Sequence, residues 1–336
     1  MHKEIQARAE RAIQEKVFPG CVIGVVRKMG EREVILFGNF TYEADSQKVA
    51  EDTVYDLASI TKSVPVASLV LTSVGEGRLR LEDAVVKYLP ELKNDYGATI
   101  EDLLTYRVRG TRLSILQNKT PDEILRSVFE HGFEAPTGKA SYSNAPALLL
   151  GIILERVMGE PLDHLAQQQL FEPLKMRDTG FFPQDISRIP PTEIVGGMEI
   201  RGVVHDESAR VFALRRRAVG HAGLFSTVPD ILNFLEALLR SRDDGDTISI
   251  MSPIADGAQR GLGWQRAEPW FAGSHTGRHA FGKTGFTGTS VLCDVERERA
   301  LIILSNRTYP TRPPNAASIH SAINTFRADI ADIFLR

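Results

Sequence analysis

The strand-forming segments of this chain lie near its two ends, and the helix-forming segments lie between them. From Ser59 to about residue 180 the apolar residues recur at helical spacing, as in PDEILRSVFEHG and APALLLGIILERVMGE, the second of which is expected to end near Gly159. TVPDILNFLEALLRS (227–241) predicts a further helix that Thr227 caps. Because a sheet must bury its apolar face against other elements, strands at both ends of a helical middle favour one sheet assembled from distant segments. The β-rich runs are CVIGVVRK (21–28), EVILFGNF (33–40), GLGWQR (261–266), TSVLCDV (289–295) and ALIILSN (300–306).

The fold class that this order predicts is α/β (α+β): a mixed, largely antiparallel sheet flanked by helices, with a mostly helical subdomain. We expect residues 1–57 and 219–336 to form the sheet domain, residues 58–218 to form the helical domain, and a cleft to lie between them. The opening segment HKEIQARAERAIQ has the spacing of an amphipathic surface helix. Only KMGE separates the first two β-rich runs, which predicts an antiparallel hairpin.

The composition is that of an ordinary soluble globular protein, with 43% hydrophobic and 25% charged residues among 336. The net charge of −3 gives no electrostatic reason to expect nucleic acid or an anionic membrane as a partner. The longest apolar run, ALLLGIILERV, meets Glu155 and Arg156 well before the roughly 20 residues of a membrane span. Two cysteines, Cys21 and Cys293, cannot define a disulfide framework, and we expect them to be buried apolar residues.

The first 20 residues contain no apolar core of signal-peptide length. We therefore expect a cytoplasmic protein. If a leader has been removed from the sequence, the expected location is instead the periplasm or the exterior.

One short stretch, DLASITKSVP (56–65), places Ser59 three residues before Lys62. If a helix begins at Ser59, the two side chains lie on one face about one turn apart. A serine hydroxyl is a weak nucleophile unless a neighbouring base takes its proton, and a lysine in an apolar setting can do so. A Ser-x-x-Lys tetrapeptide also occurs by chance in many proteins, so this pair requires partners before it indicates catalysis.

Two further stretches supply candidate partners. ASYSNAP (140–146) holds Tyr142 and Asn144 just before an apolar helix, and FGKTGFTG (281–288) holds a Lys-Thr-Gly sequence at the start of a strand. Taken alone, the first could be an ordinary turn in which Asn144 caps the helix, and the second an ordinary turn that enters a strand.

In this order, Ser-x-x-Lys, Tyr-x-Asn and Lys-Thr-Gly make the chain similar to the penicillin-recognising serine hydrolases: class C β-lactamases, low-molecular-weight DD-peptidases and the related family VIII esterases. The resemblance extends over roughly residues 5 to 335. It includes the segments VYDLASITKS, GRLRLEDAVVKYLPEL, IEDLLT, YSNAPALLLGIILERVMGEPL, GHAGLFSTVPDILNF, GLGW and FGKTGFTGTSVL. It implies the β-lactamase/transpeptidase-like fold, with an active site in the cleft between the two parts.

The resemblance implies three catalytic residues. Ser59 would be the nucleophile, at a helix N-terminus that favours developing negative charge. Lys62 would help to deprotonate it. Tyr142 would relay protons, first as general base and then as general acid.

The resemblance also implies a substrate-binding set. Asn144 would hydrogen-bond a substrate amide or ester carbonyl, and Lys283 and Thr284 would contact a substrate carboxylate. Gly285 would let the substrate lie close along the strand. The backbone N–H of Phe286, together with that of Ser59, would form the oxyanion hole. No metal or organic cofactor is expected.

Several residues depart from the family pattern. Pro65 removes a hydrogen bond just after the first helical turn, so the helix either starts later or is kinked. The family's His-Thr-Ser-Gly loop is replaced by YRVRG (106–110), which includes Arg107 and Arg109, and basic residues 215–217 occupy positions where relatives have small ones. Many esterase and peptidase relatives have His at the position of Lys283. A lysine here therefore favours substrates that carry a carboxylate.

Competing classes find less support in the sequence. His275 and His279 are four residues apart, but Gly277 between them disfavours a helix, and no His-Glu-x-x-His is present. Neither the Gly-x-Ser-x-Gly of an α/β-hydrolase nor a phosphate-binding loop occurs. We therefore expect a serine hydrolase of small esters or amides. The alternatives are a β-lactamase or D-alanyl-D-alanine carboxypeptidase, and, in another class, a catalytically weak penicillin-fold binding or sensor protein. The oligomeric state is left open.

Overall fold

The computed structural model of the protein describes residues 2–27, 30–241, 261–312 and 316–336, and a six-stranded sheet lies at its centre. Every strand pairing within these ranges is antiparallel, so the sheet is antiparallel rather than mixed. The strands follow the order β2-β1-β10-β9-β8-β7. They are β1 (Gly20–Arg27), β2 (Arg32–Gly38), β7 (Gln265–Arg266), β8 (Phe281–Thr284), β9 (Ser290–Asp294) and β10 (Arg299–Ser305).

Two short pairs lie outside this sheet. Strand β3 (Tyr55–Asp56) pairs with β6 (Phe225–Ser226), and β4 (Glu193–Val195) pairs with β5 (Met198–Ile200). The β3–β6 pair leads directly into the Ser59 segment. It therefore links the sheet domain expected from the sequence to the helices that follow.

Ten α-helices lie within the described residues. They are α1 (His2–Gln14), α2 (Ser68–Gly75), α3 (Ile100–Leu104), α4 (Pro121–His131), α5 (Ala145–Met158), α6 (Leu162–Ala166), α7 (Glu207–Ala213), α8 (Val228–Ser241), α9 (Pro269–Ala272) and α10 (Ala316–Leu335).

Strand β1 shows how the sheet is buried on both faces. Cys21, Ile23 and Val25 pack in one apolar cluster with α1, α9 and α10, whereas Val22 and Val26 pack in the cluster on the opposite side. This alternation is the period of two expected of a strand, with both faces apolar because helices cover both. The β-rich runs therefore carry apolar residues at nearly every position.

Several elements confirm the sequence predictions. The opening amphipathic helix is α1, and β1 and β2 form the predicted hairpin, although the connecting residues 28–29 lie outside the described ranges. Helix α5 ends at Gly159, which adopts a left-handed conformation. The Thr227 hydroxyl accepts the N–H of Asp230, 3.3 Å away, and so caps α8. The division of the chain at residues 57 and 219 into two domains stays a prediction.

Both cysteine side chains are buried and unpaired with each other, as the sequence predicts. Burial raises the pKa of each thiol far above its usual range. By length and composition one described segment, Ala58–Gly75, could cross a membrane, but 78% of it is buried inside the protein. A core helix passes the same test, so this segment is weak evidence for a span.

Candidate active site

Ser59 is held in place by the residues just before it. Ala58 has a positive φ of 48°, a conformation that is strained for any residue with a Cβ. The Asp56 carboxylate stabilises this turn, since it accepts the N–H of Ala58 at 2.8 Å and the N–H of His205 at 2.7 Å. Burial raises the pKa of Asp56, and these two backbone donors act in the opposite direction. The strained turn presents a half-buried Ser59 at the start of a helical segment.

The irregular helix after Ser59 explains the unusual Pro65. The segment begins as a 3₁₀ turn (Ala58–Lys62), continues as a π turn (Ser63–Ala67) and becomes α-helical only at Ser68. The proline lies inside the π turn, where the hydrogen bonds already differ from the α-helical pattern. The Ser63 hydroxyl donates to the carbonyl of Gly263 at 2.7 Å. The later start of the regular helix is the first of the two possibilities that the sequence leaves open.

The three predicted catalytic side chains meet at the Ser59 hydroxyl. Lys62 Nζ lies 2.9 Å from Ser59 Oγ, and Tyr142 Oη lies 2.5 Å from the same oxygen. Lys62 is only 2% exposed, and its ammonium also donates to the carbonyl oxygen of His221. Tyr142, by contrast, is 46% exposed and faces the cleft. A hydroxyl with two proton-accepting or proton-donating groups in contact is the arrangement that nucleophilic catalysis by serine requires.

Lys283 is a second lysine near Tyr142, and it is completely buried. Its Nζ donates to Tyr106 Oη at 2.9 Å, and it lies 5.5 Å from the centre of the Tyr142 ring. The rings of Tyr106 and Tyr142 stack with 5.7 Å between centroids. The substituted loop that includes Tyr106 thus supplies the partner of the Lys-Thr-Gly lysine, a contact that the sequence reasoning did not foresee.

A cavity of about 370 Å³ opens at the Ser59 hydroxyl. Its walls include five of the predicted site residues, but not Lys62, Asn144 or Lys283. Four lining residues were not predicted from the sequence. The full lining is Ser59, Tyr142, Gln265, Trp270, Thr284, Gly285, Phe286, Asn324 and Arg327.

The four missed residues come from three elements that carry no motif of their own. Gln265 and Trp270 belong to β7 and α9, and Asn324 and Arg327 lie three residues apart on α10. That spacing, on a helix that follows the last strand, is the signal that could have found the second pair.

The Lys-Thr-Gly strand leads into a tight hairpin loop at the cavity wall. Thr284 donates from N–H and hydroxyl to Gln265 Oε1, at 3.3 and 3.4 Å. A Cβ on Gly285 would lie 2.1 Å from Thr289 Oγ1 and 2.6 Å from the carbonyl oxygen of Leu57. The loop's own packing therefore requires glycine here, independently of any substrate.

Phe286 is clamped by its surroundings. Its ring stacks on His205, with centroids 5.7 Å apart, and the guanidinium carbons of Arg307 and Arg312 lie 5.0 and 5.7 Å from the ring centre. Its carbonyl accepts Arg307 Nε at 2.7 Å. These contacts hold the ring and the carbonyl of Phe286, whereas its N–H belongs to the preceding peptide group, which it shares with the Gly285 carbonyl.

Asn144 stands at the N-cap position of α5, but its side chain does not cap the helix. Its Nδ2 instead donates to Asp206 Oδ2 at 3.4 Å. Asp206 also faces the buried His221, with 3.5 Å between Oδ1 and Nε2, and accepts the Ser208 hydroxyl at 2.7 Å. Burial would raise the pKa of Asp206, but its hydrogen bonds, led by that from His221, hold it far below the usual range.

Three of the arginines that depart from the family pattern form ion pairs with nearby carboxylates. Arg107 pairs with Asp102 at 3.4 Å, and Arg109 with Glu134 at 3.6 Å. Arg217 lies 3.7 Å from Glu155. None of these three guanidinium groups lines the cavity at Ser59.

The two histidines considered as metal ligands point to different carboxylates. His275 Nδ1 lies 2.7 Å from Asp332, and His279 Nε2 lies 3.6 Å from Glu296. Within the described ranges no group of three or more His, Cys, Asp or Glu side chains is placed to hold a metal ion.

Comparison with known proteins decides the family. A sequence model of the beta-lactamase family matches residues 5–323. The chain belongs to the beta-lactamase family. This confirms the resemblance inferred from the three motifs, and it makes the protein a relative of the family's serine hydrolases.

Individual relatives with different activities resemble the chain to a similar degree. It is 28% identical to the N-acetylmuramyl-L-alanine amidase of Bacillus subtilis strain 168, in a match that covers 89% of this chain and 80% of that protein. The structure superimposes on EstCE1, a hydrolase with promiscuous acyltransferase activity, with a TM-score of 0.78 and 20% identity, covering 97% and 98% of the two chains.

A beta-lactamase/D-alanine carboxypeptidase from Pseudomonas syringae gives a TM-score of 0.73 at 20% identity, again covering 97% and 98%. At these identities the structural likeness shows the fold. It confirms the predicted β-lactamase/transpeptidase-like class. It leaves the choice among ester, β-lactam and peptide substrates open.

Proposed function

We propose that this member of the beta-lactamase family hydrolyses small esters or amides through an acyl-enzyme on Ser59. The observation that carries the proposal is the pair of contacts at Ser59 Oγ, 2.9 Å to Lys62 Nζ and 2.5 Å to Tyr142 Oη, at the wall of a cavity of about 370 Å³. The catalytic roles of the individual residues remain predictions that the experiments below test.

The geometry supports a two-step reaction. In the first step Ser59 Oγ attacks the substrate carbonyl carbon while its proton passes to Lys62 or Tyr142, and a tetrahedral intermediate forms. The carbon–oxygen or carbon–nitrogen bond then breaks, and the leaving group takes a proton from Tyr142, whose exposed hydroxyl faces the cavity. In the second step water attacks the acyl carbon of the ester on Ser59, the bond from that carbon to Ser59 Oγ breaks, the carboxylic acid leaves, and Ser59 Oγ regains the proton that water gives up.

The oxyanion of both steps would bind the backbone N–H groups of Ser59 and Phe286. Thr287 and Thr289 hold the two segments together, since their hydroxyls donate to the carbonyls of Asp56 and Leu57 at 2.7 and 3.1 Å. Loss of one oxyanion donor typically reduces the rate by about 10²–10³.

The cavity walls favour a small substrate with an apolar acyl or leaving group. Trp270, Tyr142 and Phe286 supply aromatic surface, and a single cation, Arg327, contributes to the lining among the described residues. Lys283 is buried against Tyr106. We therefore propose that neutral esters are accepted, and that Lys283 does not itself bind a carboxylate.

The test is intact-protein mass spectrometry and p-nitrophenol release with a penicillin and with p-nitrophenyl acetate. Wild type, Ser59→Ala and a neighbouring control, Ser143→Ala, are compared. We expect p-nitrophenol release by wild type and Ser143→Ala, and none above background by Ser59→Ala. Retained turnover in Ser59→Ala would contradict the proposal.

The mass spectra separate the substrate classes. A long-lived penicillin adduct lost in Ser59→Ala would indicate a penicillin-binding or peptidase-like site with slow deacylation. Absence of an adduct, with Ser59-dependent ester turnover, would indicate an esterase-like hydrolase. Folded protein that neither turns over nor acylates would support the non-enzymatic binding alternative.

A further inference from the structure

Arg327 is a buried cation whose hydrogen bonds go to the loop at the cavity wall. It is 2% exposed, and its Nη2 donates to the carbonyl oxygens of Gly285 and Thr289 at 3.0 and 2.7 Å. Its Nη1 donates to Asn324 Oδ1 in the preceding turn of α10, at 2.9 Å. No carboxylate pairs with it among the residues that the structure describes. Burial, with a smaller contribution from Arg307, lowers its pKa to about 9.

The carbonyl that Arg327 binds belongs to the peptide group that supplies the predicted oxyanion donor. Gly285 C=O and Phe286 N–H are the two ends of one peptide plane, which is trans, since the one cis bond in the described chain precedes Pro310. The two groups therefore point in opposite directions, and a bond that fixes the carbonyl also fixes the N–H. A positive charge at the oxygen also polarises the amide and strengthens its N–H as a donor.

The threonine bonds that tie this loop to the Ser59 segment, and the 2.7 Å bond from the Gly285 N–H to the carbonyl of Thr289, involve groups outside that peptide. Thr287 and Thr289 tie the loop to the carbonyls of Asp56 and Leu57 through side chains that lie beyond the Gly285–Phe286 peptide. Besides Arg327, the Gly288 N–H reaches the Gly285 carbonyl, at 3.3 Å, across the turn. That is a long bond between neutral groups, whereas a bond from a guanidinium is charge-assisted.

We propose that Arg327 is a positioning residue of the oxyanion hole: its guanidinium holds the Gly285–Phe286 peptide so that the Phe286 N–H faces the oxyanion formed at Ser59. This role rests on the proposed acyl-enzyme mechanism. It differs from a direct contact between Arg327 and an anionic substrate, because it acts on every substrate, neutral or charged. It also acts on the rate of acylation rather than on substrate affinity.

The test compares two buried arginines that bind neighbouring carbonyls. Arg327→Met removes the bond to Gly285, and Arg307→Met, the matched control, removes the bond to the carbonyl of Phe286, which belongs to the next peptide. Arg327→Lys keeps the charge. Stopped-flow p-nitrophenol bursts give the acylation rate constant and the apparent Kd for p-nitrophenyl acetate and for mono-p-nitrophenyl succinate. Thermal unfolding measures the stability of each variant.

For Arg327→Met we expect acylation about 10–10²-fold slower on both esters, with Kd changed less than about threefold, since the donor is misaligned rather than removed. Arg327→Lys should recover at least part of this loss. Arg307→Met should lose comparable stability but less than about threefold in rate. Binding of phenylboronic acid, whose tetrahedral adduct places an oxygen in the oxyanion hole, should weaken in parallel with the rate in the Arg327 variants.

Three outcomes would overturn the role. These are a loss confined to the succinate ester and to its Kd, equal losses of rate in the two methionine variants, and, if Arg327→Met does not fold, unchanged acylation in Arg327→Gln, which removes the positive charge. Wild type without Ser59-dependent turnover would instead remove the proposed function, and this role with it. Normal wild-type turnover combined with any of the three outcomes would remove only the role of Arg327.

Discussion

Two buried lysines lie at nearly equal distances from the ring of Tyr142, but they donate hydrogen bonds to different groups. Lys62 Nζ lies 5.3 Å and Lys283 Nζ lies 5.5 Å from the centre of the Tyr142 ring. They are 2% and 0% exposed. Lys62 donates to the Ser59 hydroxyl and to the carbonyl of His221, whereas Lys283 donates to the hydroxyl of Tyr106.

From this difference we predict separate tasks for the two lysines. Lys62 contacts the oxygen that must lose a proton, so we expect it to exchange a proton with the nucleophile directly. Lys283 contacts a second tyrosine, whose ring stacks on Tyr142, and we expect it to act through its charge and its placement of that ring. Equal distances to the same ring therefore do not imply equal roles.

The largest effect is expected from Lys62→Met. Methionine fills a similar volume but cannot accept a proton, so acylation of p-nitrophenyl acetate should fall by about 10²–10⁴, the usual contribution of a general acid–base group. Stopped-flow bursts measure the rate, and intact-mass spectra show whether Ser59 is still acylated. Acylation within tenfold of wild type would assign the proton transfer to Tyr142 alone.

The matched substitution at the second lysine is Lys283→Met. Because this lysine is buried and does not line the cavity, we expect a smaller loss of about 10–10², roughly 1.4–2.8 kcal/mol in the barrier, of equal size on neutral and carboxylate-bearing esters. Parallel kinetics with p-nitrophenyl acetate and mono-p-nitrophenyl succinate provide the measurement. A selective rise in KM for the succinate ester would restore the carboxylate-binding role expected from the family resemblance.

A smaller effect is expected from Tyr106→Phe, which removes the oxygen that Lys283 contacts and keeps the stacked ring. The loss of a hydrogen bond to a charged group should reduce stability by about 1.5–3 kcal/mol and the acylation rate by less than about tenfold. Denaturant unfolding and burst kinetics measure the two. If Tyr106→Phe matched Lys283→Met in rate, the lysine would act entirely through this tyrosine.

The sequence predicts the fold and the centre of the site because both depend on local patterns. Strand alternation, helix caps and hairpin spacing are short-range signals, and they place β1, β2, α5 and α8 correctly. The motif residues Ser59, Lys62 and Tyr142 follow from three short motifs in order and from the family resemblance that this order carries, and the structure brings their polar atoms together.

What the sequence did not predict depends on contacts between distant segments. Tyr106 and Lys283 are 177 positions apart, and Arg327 lies 42 positions from Gly285, so neither pair leaves a local pattern. The same holds for Gly285 itself. A larger residue is excluded there because its Cβ would collide with the carbonyl of Leu57 and the side chain of Thr289. Long-range packing, rather than propensity, decides these positions.

The two lysines also differ in the hydrogen-bond acceptors around them. Lys62 donates to the carbonyl of His221, whose ring faces the Asp206 carboxylate, whereas Lys283 donates to the hydroxyl of Tyr106. Asp206 also accepts a hydrogen bond from Asn144, so we expect its ionised form to stabilise the residues around Lys62. This stabilisation should depend on pH.

The change that tests this is Asp206→Asn, which can still cap α7 and so isolates the charge. The pKa of Asp206 is held far below its usual 3.8, so the folded state binds fewer protons than the unfolded state, and the stabilisation is fully present above pH 3.8. It is lost progressively as the pH falls below 3.8.

Asp206→Asn should therefore be less stable than wild type by about 1–3 kcal/mol at pH 7, and this difference in unfolding free energy should shrink below pH 3.8. The acylation rate of the variant should change by only a few-fold. Urea unfolding at pH 7, 4 and 3 measures the difference in stability. A difference in unfolding free energy that stays constant over this range would mean that the charge of Asp206 does not stabilise the residues around Lys62.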